Sequence, residues 1–433
     1  MRRVEKLKNI LSIFFAVSAF FSSALSCPIT SEKLEARRLL VEAEQKAALK
    51  TALKGEAYPM EDLQEAWKFL ISEEPLSCGK KESASFEERR DLIKKAMAIS
   101  TRIAGNGRIE LAKGKSVVVS NAENKWYKIS VEENGEIFSI YDKELKRELL
   151  KDVANRFLFV DVKSKTAQKK STVACKRNVV VKLDDKKKLI HVENKIRFNA
   201  NSFNGMSRRC YGYISFPFDI PKGKAFVQAS SSVETPATNA YVHVRDWSAV
   251  ENGEFGVALI QIDSLLSRFD VNEEFFYSIN SCVFNDCFCM SKIDKADFDM
   301  VFRYAITSYQ GSWRDNHIPS FVEDVINPFT KEVEKFVKTS APNIRLSTLK
   351  ASKDGNGYIV KFVETEGRPT KAKLLHSLLE SALVSLVDAE EKHIKEIEDD
   401  EISFKAYETV TLLLHNGKRV NFTSRAAKTK KGM

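Results

Sequence analysis

The chain has 433 residues, 43% hydrophobic and 30% charged, ordinary values for a globular protein with ample core and about two to four domains. Its net charge of +10 comes from lysines concentrated at 163–188 and at Lys428, Lys430 and Lys431. No nucleic-acid module or aromatic-interleaved basic motif accompanies them, so they read as solvated strand edges and loops, and a nucleic-acid partner is not expected.

Residues 1–26 have the grammar of an export signal. Arg2, Arg3, Lys6 and Lys8 form a basic head, an apolar run follows, and Ala24-Leu25-Ser26 gives a small-x-small cleavage site. The run is short for a membrane span, which needs about 20 residues. Cys27, just past the cut, is a candidate for lipidation, although Ala24 stands where the usual lipid signal has leucine. Beyond it lie Cys78, Cys175, Cys210, Cys282, Cys287 and Cys289, too few for a disulfide framework. The last three lack the paired spacing of a zinc site and read as small apolar residues of a strand.

A helical segment spans 31–107. Its first helix, from Glu32 to Lys54, carries Leu34, Leu39, Leu40, Ala43 and Ala47 as a rough stripe and stops at Gly55. A second runs from Met60 to Ser72 with Leu63, Trp67 and Leu70 on one face. A third opens on the capping box of Ser85 and Glu88 and stops at Gly105. Together they predict a three-helix bundle.

The pattern then changes to short β-branched and aromatic runs, with Asn134-Gly135 as a hairpin turn. Strands at this density predict a mainly β chain: a large antiparallel β-sandwich over 113–335, then a smaller one over 340–416 beyond Asn327-Pro328 and Ala341-Pro342. Asp354-Gly355-Asn356-Gly357 supplies a turn in the second. Residues 417–433 read as a basic tail, frayed from Lys418 onward.

Five stretches in this order resemble glycoside hydrolase family 38, the retaining α-mannosidases. YPMEDLQEAWKFL (58–70) is similar to that family's middle helical bundle. NKWYKISVEENGEIFSIYDKELKREL (124–149) and FRYAITSYQGSW (302–313) resemble its large β domain, whose sandwich is of the galactose-mutarotase type. IRLSTLKASKDGNGYIVKFVETEGRP (344–369) and SFKAYETVTLLL (403–414) are similar to its terminal β domain. The family's catalytic α/β barrel precedes the bundle and supplies the nucleophile, the acid/base carboxylate and most zinc ligands. Such a barrel needs on the order of 200 residues, and the stretch upstream of this bundle holds the export signal. The bundle normally adds a zinc-binding histidine shortly after the tryptophan matched by Trp67. Here the equivalent stretch holds Pro75, Leu76 and Ser77, and no histidine precedes His191. The resemblance therefore implies no catalytic residues and no metal ligands in this chain, with zinc entering only through a separate catalytic chain.

Glycoside hydrolysis needs two carboxylates at a set separation, about 5–5.5 Å for retention. Glu364 and Glu366 alternate along a strand and read as a solvated face; Asp142, at a hairpin end, reads as a turn carboxylate. His191, His243, His317, His376, His393 and His415 are scattered without a nucleophile elbow, and His393 sits in a charged surface stretch. Two clusters stand out as candidate carbohydrate-facing residues, because aromatic faces stack on sugar rings and planar polar groups bond hydroxyls: Trp313, Arg314, Asp315 and His317, and Asp246 with Trp247. For both, a purely structural turn is the competing expectation. Asn421-Phe422-Thr423 is a glycosylation sequon.

The expectation is an exported protein, secreted or periplasmic and membrane-bound only if Cys27 is lipidated. It would be a catalytically incomplete relative of the α-mannosidases, binding a mannose-containing glycan or a protein partner. The alternative is the C-terminal subunit of a split zinc-dependent α-mannosidase whose barrel is encoded separately. A decayed remnant is the third reading.

Overall fold

The computed structural model describes residues 28–71, 86–105, 116–117, 121–164, 167–170, 175–199, 210–230, 232–271, 277–284, 298–379, 381–397, 400–418 and 420–422. The export-signal segment, Cys27, Cys78, Ser85, Cys287, Cys289, Thr423 and the terminal lysines lie outside them. No described helix is long and apolar enough to cross a membrane.

The bundle consists of α1 (Pro28–Lys54), α2 (Met60–Ile71) and α3 (Phe86–Ala104). Gly55 and Gly105 end α1 and α3 at φ 68° and 81°, with their amides bonded back to Thr51 and Thr101, as the glycine stop signals predict. Ala66, Leu63 and Leu70 of α2 are buried, and Trp67 donates its Nε1–H to Glu44 of α1 at 2.8 Å. Across the bundle, Arg90 of α3 forks onto Glu32 of α1, and Lys46 of α1 reaches the last carbonyl of α3, at Ala104. A lysine there suits the negative end of the helix dipole.

Helix α1 departs from the predicted stripe. Ala36, Arg38, Leu39, Leu40, Ala43, Gln45, Ala47, Ala48, Leu49 and Thr51 are all buried, and at 100° per residue these positions surround the helix. The reason is position: α1 packs on α2 and α3, on strand Ile344–Ala351 and on strand Phe298–Gln310.

The large sandwich has an eight-stranded sheet facing a six-stranded one, and the strand pairs within both are antiparallel. The eight-stranded sheet centres on Ile190–Phe198, Phe298–Gln310 and Phe255–Gln261. Along Phe298–Gln310, Met300, Phe302, Tyr304 and Ile306 alternate into the core between the sheets. Phe216 of the six-stranded sheet lies 5.1 Å from Tyr304, and Phe284 meets Phe198 edge-on at 5.6 Å. The opposite face is also covered. Ala305 and Tyr309 join Trp247, Ala258, Ile260 and Trp313 beneath α4 (Ile318–Ile326). Burial on both faces explains why all seven residues of Phe255–Gln261 are buried.

Asn134-Gly135 forms the turn between Tyr127–Val131 and Ile137–Asp142, with Gly135 at φ 80°. A Cβ on Gly135 would come within 2.2 Å of Val179, so close approach as well as conformation requires glycine. After α4 and the short α5 (Thr330–Val333), the second sandwich pairs a five-stranded sheet with a three-stranded one. Its first strand, Val337–Thr339, pairs with Thr370–His376, so this domain starts slightly before residue 340. Leu346, Val360, Phe362 and Leu412 meet Ala372, Leu374, Ile402 and Phe404 between its sheets.

The expectation of a tail frayed from Lys418 is corrected. Val420 donates to the carbonyl of Gly355, Tyr58 donates to that of Asn421 at 2.6 Å, and the Phe422 ring lies 6.4 Å from that of Tyr58. The segment through Phe422 therefore ties the second sandwich to the bundle, which a charge-rich composition does not reveal. Leu40 sits fully buried on α1. Leu40→Ala is expected to lower stability by about 3 kcal/mol, measured by urea unfolding.

Candidate functional site

The two clusters singled out in the sequence do come together. The Trp247 and Trp313 rings lie 5.5 Å apart at 53°. They do so inside the protein, both 0% exposed, beneath α4. Their expected role as sugar-facing rings is corrected: the alternation that puts Trp247 on a strand of the doubly covered sheet turns its face inward, and Trp313 follows it into the same core.

Arg314, Asp315 and His317 form a joint between the two sandwiches instead of a sugar-facing loop. The Arg314 guanidinium lies over the Trp313 ring at 4.3 Å, and its Nε–H donates to the carbonyl of Glu366. His317, at φ 48° just before α4, meets the Glu366 carboxylate through Nδ1 at 2.6 Å. Asp315 holds Ser312 at 2.6 Å, with Arg368 3.9 Å away.

Glu364 and Glu366 are 0% and 1% exposed, so the solvated-face reading is also corrected. Glu364 accepts backbone N–H bonds from Glu366, Gly367, Arg368 and Tyr407, and one from the Asn343 amide. It organises the turn that carries Glu366 into the joint. Asp142 accepts from the amides of Glu144 and Leu145 and from the Ser308 hydroxyl, and pairs with Lys188 at 2.9 Å. That is the expected turn carboxylate.

Sequence reasoning missed a third cluster, where α1 meets the eight-stranded sheet. Asp263 grips Arg303 through Nε and Nη2, both at 2.8 Å, and accepts its backbone N–H as well. Glu35 of α1 lies 3.7 Å from the same guanidinium. Burial alone would weaken the hold of Arg303 on its proton, but Asp263 more than offsets this and raises its pKa. Arg38 is different. It is 9% exposed, Nη1 and Nη2 have no hydrogen-bond partner, and Asp246 lies 3.9 Å away while bonding Arg245 at 3.1 Å. Burial therefore lowers its pKa against the pull of Asp246 and Asp263. Arg38 lines a cleft with Glu35, Gln45, Asn327 and Phe329 whose free interior of about 20 Å³ suits a water molecule, well short of a sugar ring. The available signal was a charge inside each apolar pattern, Arg38 among the leucines of α1 and Arg303 in VFRYAITSY.

The histidines stay dispersed. His191 bonds Asp184, His317 bonds Glu366 and His393 bonds Glu396. Among the described residues no three His, Cys, Asp or Glu side chains are grouped to hold a metal ion.

The C-terminal sandwich and the fold as a whole are each similar to known proteins. Residues 343–412 match the family model for the glycosyl hydrolases family 38 C-terminal beta sandwich domain. The structure resembles an α-mannosidase from Enterococcus faecalis V583 with a TM-score of 0.67 at 10% identity, over 91% of this chain and 68% of that one. A glycosyl hydrolase family 38 protein from Enterococcus faecalis is similar at TM-score 0.67 and 11% identity, over 91% and 71%. The chain has a family 38-like fold. No curated protein matches it by sequence. The match covers bundle and both sandwiches, which bears out the predicted mainly β architecture with its helical N-terminal part.

Two outcomes follow for the charged clusters. Arg303→Met strands the buried Asp263 carboxylate and should cost about 3–5 kcal/mol in urea unfolding, whereas Arg38→Met, which frees no bonded partner, should be neutral or stabilising. His191 has a buried Nδ1 without a partner, so a second proton there would be unsolvated, and burial lowers its pKa despite Asp184. With the folded pKa below the unfolded one, its contribution is present above the unfolded value of about 6.5 and is lost as pH falls from there through the lower folded value. His191→Gln should flatten the fall in Tm between about pH 7.5 and 5 in thermal scans.

Proposed function

We propose that this is an exported α-mannosidase-like protein that binds carbohydrate and does not cleave glycosidic bonds on its own. The carbohydrate half of the reading is carried by one observation, the α-mannosidase fold running through bundle and both sandwiches. Export rests on the basic head, apolar run and cleavage site of residues 1–26.

The non-hydrolytic half is supported by the engagement of the carboxylates. A general acid must give up a proton and a nucleophile must present a free lone pair to an anomeric carbon. Glu364 spends its two oxygens on five donors, Asp142 is held by Lys188, two amides and a hydroxyl, and Asp263 is gripped by Arg303. Glu366 is enclosed in the joint between sandwiches. These groups hold the scaffold together.

The alternative, a subunit docking on a separately encoded barrel, calls for an apolar face on the bundle. The outward positions of α3 carry Glu88, Asp91, Lys94, Lys95 and Arg102, all exposed. That charge favours a bundle facing water. Purified protein with added zinc should give no release of nitrophenol from p-nitrophenyl α-mannoside, yet bind at least one neutral glycan on an array. Robust turnover would overturn the reading, and co-purification of a barrel-bearing partner with activity in the complex would establish the alternative.

A further inference from the structure

The two sheets of the large sandwich differ in what covers their outer faces. α1 and α4 pack over the eight-stranded sheet. On the six-stranded sheet, a separate small cluster forms on the face away from the main core, around Tyr213, Leu266 and Cys282, with Leu158, Tyr211 and Tyr241 packed against it.

Strand register places these residues. Tyr241 lies opposite Arg268, which lies opposite Asn280, which lies opposite Ser215. The next row on the same face runs from His243 through Leu266 to Cys282 and Tyr213. Tyr211 stands two residues before Tyr213 on the same strand and so shares its face. Gly212 between them points to the core, where a Cβ would come within 2.4 Å of the Phe284 ring. The Tyr-Gly-Tyr sequence thus seats Phe284 on one side and presents two phenols on the other.

The three phenol rings are nearly parallel. Tyr211 and Tyr213 are 6.3 Å apart at 10°, Tyr211 and Tyr241 5.6 Å at 26°, and Tyr213 and Tyr241 6.2 Å at 19°. Tyr213 and Tyr241 also join through their hydroxyls. Tyr213 is buried, while Tyr211 and Tyr241 are half-buried. Beside them Arg268 donates to Asp270 at 2.7 Å, and Asn280 donates to the other Asp270 oxygen at 2.9 Å. Asn280 is 5% exposed, and its buried Oδ1, next to the aromatic floor, has no hydrogen-bond partner among the described residues.

From this arrangement we infer that the outer face of the six-stranded sheet, centred on Tyr211, Tyr241, Arg268 and Asn280, binds a neutral oligosaccharide. The inference rests on the carbohydrate-binding reading and gives it a location. Parallel phenol faces suit the C–H faces of pyranose rings. Asp270 balances the charge of Arg268, so the site offers no net cation to an acidic sugar. The Asn280 oxygen, buried and unpaired in the free protein, is the acceptor that a bound sugar hydroxyl would satisfy, and the Arg268–Asp270 pair supplies donors and acceptors in fixed positions.

The experiment uses the full chain and the best neutral glycan from the array, mannotriose being the first probe, with Kd from calorimetry. Tyr241→Ala should weaken binding by about tenfold or more, while Tyr241→Phe, which keeps the ring, stays within about threefold. Asn280→Leu, a second and independent variant, should weaken binding several-fold with unchanged circular dichroism, and it carries the test if Tyr241→Ala does not fold. Equal binding by wild type, Tyr241→Ala and Asn280→Leu overturns this location and leaves the carbohydrate-binding function standing. Failure of the wild type to bind any neutral glycan overturns both.

Discussion

The arrangement depends on one helix having no free side. α1 is enclosed by two helices, the eight-stranded sheet and the first long strand of the second sandwich, and it has buried residues around its whole circumference. Removing it would expose three surfaces at once. Its polar residues are therefore placed where the neighbours can answer them: Glu44 receives the Trp67 indole, Glu32 receives Arg90, and Glu35 approaches the Arg303–Asp263 pair. A helix in this position fixes the angle between the sandwiches without requiring a large direct interface between them.

What direct interface there is depends on a carboxylate turn. Glu364 gathers four backbone amides, which sets the path of residues 364–368 and aims Glu366 at His317 and the Arg314 backbone contact. Both Glu364 oxygens accept N–H groups, so an amide in its place would leave its NH2 opposed to donors. Acidic residues in a glycosidase-like chain invite a catalytic reading, and here burial together with saturated hydrogen bonding supplies a structural one.

Much of the architecture was legible because its signals are local. Gly55 and Gly105 ended helices, Asn134-Gly135 made a turn, and alternating runs became strands. What escaped was set by partners distant in sequence. Trp313 and His317 looked exposed because a polar, turn-like stretch surrounds them, yet residues 247 and 366 decide where they point. Glu364 ends its strand and Glu366 lies in the bend beyond it, so whether they meet water depends on Asn343 and Tyr407 for the one and His317 for the other. The stretch 418–422 looked frayed because its anchor, Tyr58, lies at the far end of the chain. Arg38 and Arg303 are single charges inside apolar patterns, and periodicity carries no information about which of them finds a bidentate partner.

The same asymmetry that hides Trp247 makes the other sheet the place for the proposed recognition. An eight-stranded sheet with helices on one face and a partner sheet on the other has no surface left for a ligand, so its aromatics serve packing. The six-stranded sheet has one face in the core, where Phe216, Phe269 and Ile279 lie, and its alternate residues must meet something else. Sequence alternation then puts Tyr211 and Tyr213, Arg268 and Asp270, and Asn280 on that second face together. On that face the described groups are aromatic or, with Asp270 paired to Arg268, without net charge, which is the chemistry that the proposed sugar site would use.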